Sequence, residues 1–387
     1  MIISFVIPWY GDKIAGGAEH LCRTLAEHLT ASGVDVEVLT TCARDFFDWS
    51  NRYREGVYTE GGVRVRRFKA DKRDFELFDD LKFKLLNDMG VSREEELLYM
   101  RESINSKHLY SFMEREKNER VFILIPYMFG TTYNGAKIAP QRSYIIPCLH
   151  DENYAGMSVF KDMFQEVGGV IFNAEPEMAL AKRLYGPLRA KTAVIGAGVD
   201  TEVSYDPDRF LGKYGLKEPF MLYVGRKDEC KNTPCLLEYF NEYKKRQDNG
   251  LKLVLIGGGS VDMPSSMTGD IIDLGYVSEE DKNDAHAAAA MLCQPSENES
   301  FSLVIMDSWV AGTPVIVHED CEVTRWHCKR SNGGLYFEDY YEFASCIDFY
   351  LEDPDRARLM AENGRRYVER NYSWNNVIDQ YRRLIGV

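Results

Sequence analysis

Short, continuous runs of apolar and β-branched residues pace this chain, and they restrict its fold more than any other feature. In the first half they are Ile2–Ile7, Val34–Leu39, Val63–Phe68, Val121–Ile125, Tyr144–Pro147, Gly169–Phe172 and Thr192–Ile195. Between them lie longer helical or loop segments. In Ala18–Leu29, for example, Leu21, Leu25, Ala26 and Leu29 recur at helical spacing. Strands made of unbroken apolar residues are buried on both faces, as in a parallel sheet with helices on either side.

The pattern then restarts. Residues Val199–Glu218 carry Asp200, Asp206, Pro207, Asp208 and Gly212 with little apolar periodicity, a linker composition. After it come Phe220–Val224, a helical Leu236–Tyr243, Leu253–Ile256, and strand candidates at Ala287–Cys293, Pro314–Val317 and Gly334–Phe337. The 387 residues suit two domains of about 100–200 residues each. We read an α/β protein of two Rossmann-like domains with a boundary near residue 200, residues 1–200 and 201–365. A terminal segment, 366–387, offers Trp374, Val377, Ile378 and Tyr381 as an apolar face, expected to pack back across both domains. Residues 70–118 form a charged, helix-prone insertion, with 9 basic and 12 acidic residues from Asp71 to Lys117. Its stripe of Phe75, Phe78, Leu81, Leu85 and Leu86 reads as a helical lid, with acceptor or partner binding as the sharper alternative.

Lys+Arg 47 against Asp+Glu 61 gives a net charge of −14. That balance argues against a nucleic-acid partner bound by broad phosphate neutralisation. No apolar run approaches the roughly 20 residues of a membrane-spanning helix. The opening apolar run has no basic residues before it and reads as a first buried strand rather than a leader. Nine scattered cysteines, without a Cys-x-x-Cys pair, fit reduced thiols in the cytoplasm and no structural metal.

Four constellations could carry chemistry. Gly11 to Glu19, with Gly16 and Gly17, places glycines between a strand and a helix start, where backbone N–H groups favour an anion. It is not G-x-G-x-x-G, and Leu39-Thr40-Thr41 offers no acidic residue at the end of strand two, which disfavours a dinucleotide dehydrogenase. Gly225-Arg226-Lys227-Asp228-Glu229-Cys230-Lys231 sets two cations, Arg226 and Lys231, where a parallel sheet opens its ligand crevice. Cys148-Leu149-His150 puts an imidazole at a strand end. Most specific is Pro295–Asp307, with Glu299 before a helix beginning near Ser302 and Asp307 on its second turn. Each constellation alone also has a plain reading, as a tight turn, a solvated basic turn, a structural His or a helix-dipole acid. The Asp-Pro-Asp strings at 206–208 and 353–355 read as turns rather than metal motifs.

The string Pro295–Asp307 resembles the E-x7-E signature of the retaining GT-B glycosyltransferases of family GT4 (glycosyl transferases group 1). The other three constellations fall in that family's order: a GG-x-E loop, a His at a strand end and G-R-x4-K. Ile195–Asp200, Leu255–Gly259 and Leu274–Val277 are similar to further family segments, so the resemblance covers almost the whole chain, least at 70–118 and 318–332. It implies a GT-B fold, with two domains facing across a cleft that holds the donor. By resemblance Arg226 and Lys231 would grip the donor diphosphate, Glu299 the sugar hydroxyls and Asp307 the ribose. Gly16 and Gly17 would approach the donor, His150 would contact the transferred sugar, and Tyr276 and Val277 would frame the base. Ser302, Leu303 and Val304 would meet the distal phosphate.

The chain departs from the family where Asp307 replaces the second Glu and Ser302 a common Gly. The implied reaction is retaining transfer of a hexosyl group, with a lean to GDP-mannose, from a nucleotide diphosphate sugar to a hydroxyl of a glycan or lipid-linked acceptor. Bacterial cell-surface polysaccharide (O-antigen, lipopolysaccharide) is the expected setting. No cofactor or metal is expected, and the enzyme would be cytoplasmic with room for peripheral membrane contact. Oligomeric state is open. The alternatives are a GT-B-shaped epimerase or phosphorylase, and a nucleotide-sugar-binding protein without turnover.

Overall fold

The computed structural model describes residues 1–11, 14, 16–247, 249–262 and 269–386. The chain divides into two compact units, Met1–Gly198 with Trp374–Val387, and Val199–Ser373. Each is built on one sheet of the Rossmann-like kind.

The first sheet has the order β3-β4-β2-β1-β5-β6-β7-β8. Its strands are β1 (Ile2–Ile7), β2 (Val36–Thr41), β3 (Gly56–Glu60), β4 (Val63–Phe68), β5 (Arg120–Leu124), β6 (Ser143–Ile145), β7 (Gly169–Phe172) and β8 (Lys191–Val194). All pairings are parallel except β3 with β4, an antiparallel edge hairpin. The sequence pattern did not predict β3, because its residues are half or fully exposed and carry no apolar run. The apolar strand two lies at Val36–Thr41 rather than at Val34–Leu39.

The insertion is helical: Phe75–Leu86, Arg93–Glu102 and Lys107–Glu116. Phe78, Leu81 and Leu85 of its expected stripe are buried in the core of the unit, whereas Phe75 and Leu86 are exposed. Glu96 of the second helix accepts from the backbone N–H groups of Ser158 and Val159, so it caps the helix Ser158–Glu166. The tail is two helices. Pro354–Tyr372 lies in the second unit and Trp374–Ile385 in the first, with Ser373 extended between them. Val377, Ile378 and Tyr381 are buried as expected, and Trp374 stacks on His28.

The second sheet has the order β11-β10-β9-β12-β13-β14, all parallel. Its strands are β9 (Phe220–Val224), β10 (Lys252–Ile256), β11 (Ile271–Gly275), β12 (Met291–Gln294), β13 (Val315–His318) and β14 (Gly334–Phe337). Side chains alternate between the faces. Met221, Tyr223, Leu253, Leu255, Met291 and Cys293 enter one core with the helices Thr233–Arg246 and Tyr340–Glu352. Leu222, Val254, Leu292 and Gln294 point to the other face and are also buried. This double burial is what the unbroken apolar runs encode.

Two expectations are corrected here. Ala287–Cys293 is not one strand: Ala287 and Ala288 end the helix Glu279–Ala288, and the strand starts at Met291. Alanine is the best helix former, and an apolar count alone cannot separate it from strand residues. The Asp-Pro-Asp strings are helix starts rather than turns. Asp206 accepts from Arg209 N and Asp353 from Arg356 N, each followed by Pro in the first helical position. The expected linker therefore contains the helix Pro207–Tyr214. No helix among the described residues is long and apolar enough to cross a membrane.

Candidate functional site

In the second sheet the chain runs outward from β9 through β10 to β11, then returns to the other side of β9 for β12, β13 and β14. The switch point therefore falls between β9 and β12. In doubly wound sheets ligands bind beyond the carboxyl ends of strands at that point. The loops after β9 and β12 are the two that carry Arg226–Lys231 and Pro295–Ser302.

The β9 loop is held from below. Lys227, 2% exposed, reaches Asp273 of β11 with Nζ–Oδ1 2.5 Å, and its N–H donates to Gly258 O. Gly225 donates to Ile256 O, and Gly257 to Gly275 O. The loops of β9 and β10 are so close that a Cβ on Gly257, at φ 128, would lie 2.1 Å from Gly225 O. This close approach explains the Gly257-Gly258-Gly259 run. It also separates the cations by role, because Lys227 is a buried clamp whereas Arg226 is exposed.

Asp228 organises the turn. One carboxylate oxygen accepts from Lys231 N at 3.0 Å, and the other pairs with Arg226 Nε. Asn232, at φ 52, donates from Nδ2 to Pro295 O and Glu297 Oε1, both at 3.2 Å, and so stitches this loop to the β12 loop. Across that seam Lys231 Nζ meets Glu299 Oε1 at 2.6 Å. Gln294, the last residue of β12, donates from Nε2 to the same carboxylate oxygen at 2.9 Å.

Beyond Glu299 the chain enters the helix Leu303–Val310 through Ser302, which is left-handed at φ 69 and ψ 77. Its side chain caps nothing, so the first N–H groups of the helix, at Leu303 and Val304, keep their donor capacity. Ser296 Oγ, Ser302 Oγ and Gln294 Oε1 are buried without a hydrogen-bond partner among the described residues. Such atoms call for polar ligand groups, since an unmet buried oxygen is costly.

Asp307 lies on the same helix and engages a different cation. Lys282 Nζ stands 3.9 Å from its carboxylate and 2.5 Å from Glu279. Burial pushes the Asp307 carboxyl up to about 6, with Lys282 pulling the other way. No hydrogen bond reaches that carboxylate among the described residues, which leaves its acceptor capacity for a diol. Tyr276 is exposed after β11, and its ring covers Gly258, where a Cβ would lie 2.4 Å from its hydroxyl. Val277 beside it is half-buried.

The remaining predicted residues lie in the first unit. There the switch point is between β1 and β5, since β2 and β4 lie to one side and β5 to β8 to the other. The glycine loop follows β1. Gly16, at φ 149, and Gly17 open the helix Gly17–Ala31, and Glu19 accepts from Trp9 Nε1 at 2.5 Å. Asp12, Lys13 and Ala15 of that loop lie outside the described residues. His150 is half-buried after β6, in a loop fixed by Glu177, which accepts from Leu149 N at 2.7 Å. Sequence reasoning missed Gln294, Lys282 and Glu279. No motif marks a single Gln at a strand end or a Lys on a neighbouring helix.

Among the described residues no group of three or more His, Cys, Asp or Glu side chains is arranged to hold a metal ion. The cluster beyond β9 and β12 instead combines cations, oriented N–H groups and carboxylates. That set suits an anionic, hydroxyl-rich ligand.

The chain is similar to known proteins in sequence and in fold. Residues 207–367 match the family described as glycosyl transferases group 1. The chain is 24% identical over 400 residues to a D-inositol 3-phosphate glycosyltransferase of Corynebacterium urealyticum, covering 96% of this chain and 90% of that one. In fold it is similar to the sucrose-phosphate synthase of Thermosynechococcus elongatus, at TM-score 0.74 and 19% identity, covering 100% of this chain and 99% of that one. It is likewise similar to HepE of Anabaena in complex with UDP and glucose, at TM-score 0.71 and 15% identity, covering 99% of each. The fold is the two-domain α/β GT-B fold, and the match to the family of glycosyl transferases group 1 lies within the second unit.

Proposed function

We propose that this protein transfers a hexosyl group from a nucleotide diphosphate sugar to a hydroxyl acceptor, with retention at the anomeric carbon. The observation that carries the reading is the Lys231–Glu299 contact at the switch point of the second sheet, beside the open start of the helix Leu303–Val310. Lys231 and Arg226 take the diphosphate, whose charge grows as the sugar–phosphate bond breaks. Glu299 holds sugar hydroxyls and Asp307 the ribose diol. Ser302, Leu303 and Val304 meet the distal phosphate, and Tyr276 with Val277 borders the base.

In this mechanism the leaving diphosphate accepts the acceptor's proton on the face it vacates, so retention needs no protein nucleophile. Oriented cations and N–H groups supply the charge stabilisation, usually the largest catalytic contribution. Two cations do this without a metal, so turnover should survive a chelator.

The similar Anabaena structure carries UDP and glucose, and the Corynebacterium relative is named a D-inositol 3-phosphate glycosyltransferase. Neither favours the mannosyl donor or the cell-surface glycan suggested by resemblance. The reading is therefore set at a nucleotide diphosphate hexose, with guanosine and uridine donors to be separated by experiment. A thermal-shift and turnover panel of GDP-mannose, UDP-glucose, UDP-galactose, UDP-GlcNAc and dTDP-rhamnose tests it. A donor that binds the folded state raises Tm by mass action. No shift and no turnover with any of them contradicts it.

A further inference from the structure

We propose that Gln294 reads a hydroxyl of the transferred sugar, with its Nε2 holding Glu299 and its Oε1 accepting from the donor. The inference rests on the reading that the Lys231–Glu299 site holds a nucleotide sugar, and deepens it to a specificity-determining residue.

Gln294 ends β12, the strand beside the switch point, on the face shared with Leu292. It is 3% exposed. The orientation of its amide follows from chemistry. A carboxylate only accepts, so the group 2.9 Å from Glu299 Oε1 must be the amide nitrogen. The oxygen of the amide then points to the remaining side, buried and without a partner among the described residues.

Leaving that oxygen unmet is expensive, and the position does not require it. Apolar residues fill the rest of the strand. A Met or Leu here would satisfy the core at no polar cost. The same stretch carries two more buried oxygens without partners among the described residues, on Ser296 and Ser302. The two serine hydroxyls can donate and so suit phosphate oxygens, but the Gln294 amide oxygen only accepts and needs a ligand group with a proton to give. A phosphate has none to give at neutral pH, so Gln294 Oε1 answers the sugar rather than the diphosphate.

The experiment uses the full chain and the donor accepted in the panel, with that donor's 2-, 3-, 4- and 6-deoxy analogues. Native protein is expected to lose about 10- to 100-fold in kcat/KM on one analogue. In Gln294→Met that analogue and its parent should differ by less than about threefold, while Kd for the free nucleoside diphosphate changes by less than about twofold. A residue that only props Glu299 would lower kcat for every analogue alike, so penalties equal in native and variant protein overturn the proposal. So does a loss of nucleoside diphosphate affinity that accounts for the whole effect. Gln294→Glu is the second variant, for the case in which Gln294→Met does not fold. It keeps the acceptor oxygen, so discrimination should persist while the paired carboxyls shift the pH profile; lost discrimination overturns the proposal. Undiminished turnover by Lys231→Ala and Glu299→Gln would instead remove the underlying reading.

Discussion

Lys231 Nζ lies 2.6 Å from Glu299 Oε1 although 68 residues separate them in the chain. The contact exists because β9 and β12 are neighbours in the sheet while β10 and β11 are spliced out to one side. Lys231→Ala and Glu299→Gln should each slow transfer by about 10² or more, the scale of an oriented charge contact. The double variant should lose little beyond the worse single one, because groups that act as a unit are not additive. Steady-state kcat/KM for the three variants checks this, and additive losses would mean that the two act separately.

Asp307 gives a pH dependence. Burial pushes its carboxyl up to about 6, and Lys282 opposes the shift. Nucleotide affinity should therefore weaken as pH falls through about 6, where the ribose-binding carboxylate takes up a proton. Lys282→Met should move that fall to higher pH, and Asp307→Asn should give weak binding without it. Calorimetric Kd values from pH 5 to 8 would show the three curves. For stability the sign is opposite. The folded pKa exceeds the ordinary value of 3.8. The native state then holds the proton longer, so this group's contribution falls as pH rises from about 4 to about 6.

Ser302 is costly to the fold twice over, by a left-handed backbone at φ 69 and by a buried hydroxyl without a partner among the described residues. Ser302→Gly should raise stability by about 1 kcal/mol, since glycine adopts this conformation freely. Urea unfolding should show a higher midpoint at an unchanged slope. A lower midpoint would mean that the hydroxyl is satisfied within the fold.

His286 sits in the core of the second unit with neither ring nitrogen hydrogen-bonded among the described residues, and burial lowers its pKa to about 3. The unfolded chain takes up this proton near pH 6.5, so stability from His286 is lost as pH falls from about 6.5 to about 3. His286→Leu should flatten that part of the pH–stability curve and add about 1 kcal/mol at neutral pH. An unchanged acid limb would contradict the assignment.

The sheets were legible wherever burial on both faces forces an unbroken apolar run, as at Phe220–Val224, which is buried throughout. The exposed edge strand Gly56–Glu60 left no such trace, and Ala287-Ala288 misled because alanine serves a helix as well as a strand. Lys231 stood out by its place just after a strand and Glu299 by its place before a helix, and family-like spacing joined them. The order β9-β12, which brings them together, is a property of the sheet and not of either loop. Gln294 was invisible for a different reason. Its significance lies in an amide oxygen without a partner among the described residues, and only the packed surroundings reveal that. The aspartates of the Asp-Pro-Asp strings carried a helix-start signal that was legible, since an N-cap followed by Pro has a recognised form.

If the Lys231–Glu299 site of the second unit binds and cleaves a nucleotide diphosphate sugar, nucleoside diphosphate must leave it. The most direct test is the rate of nucleoside diphosphate release from the donor panel, compared between native protein and Lys231→Ala. Native protein should release it from at least one hexose donor, and the variant should be slower by about 10² or more. Equal rates in the two proteins, or no release from any donor by native protein, would contradict this role for the site.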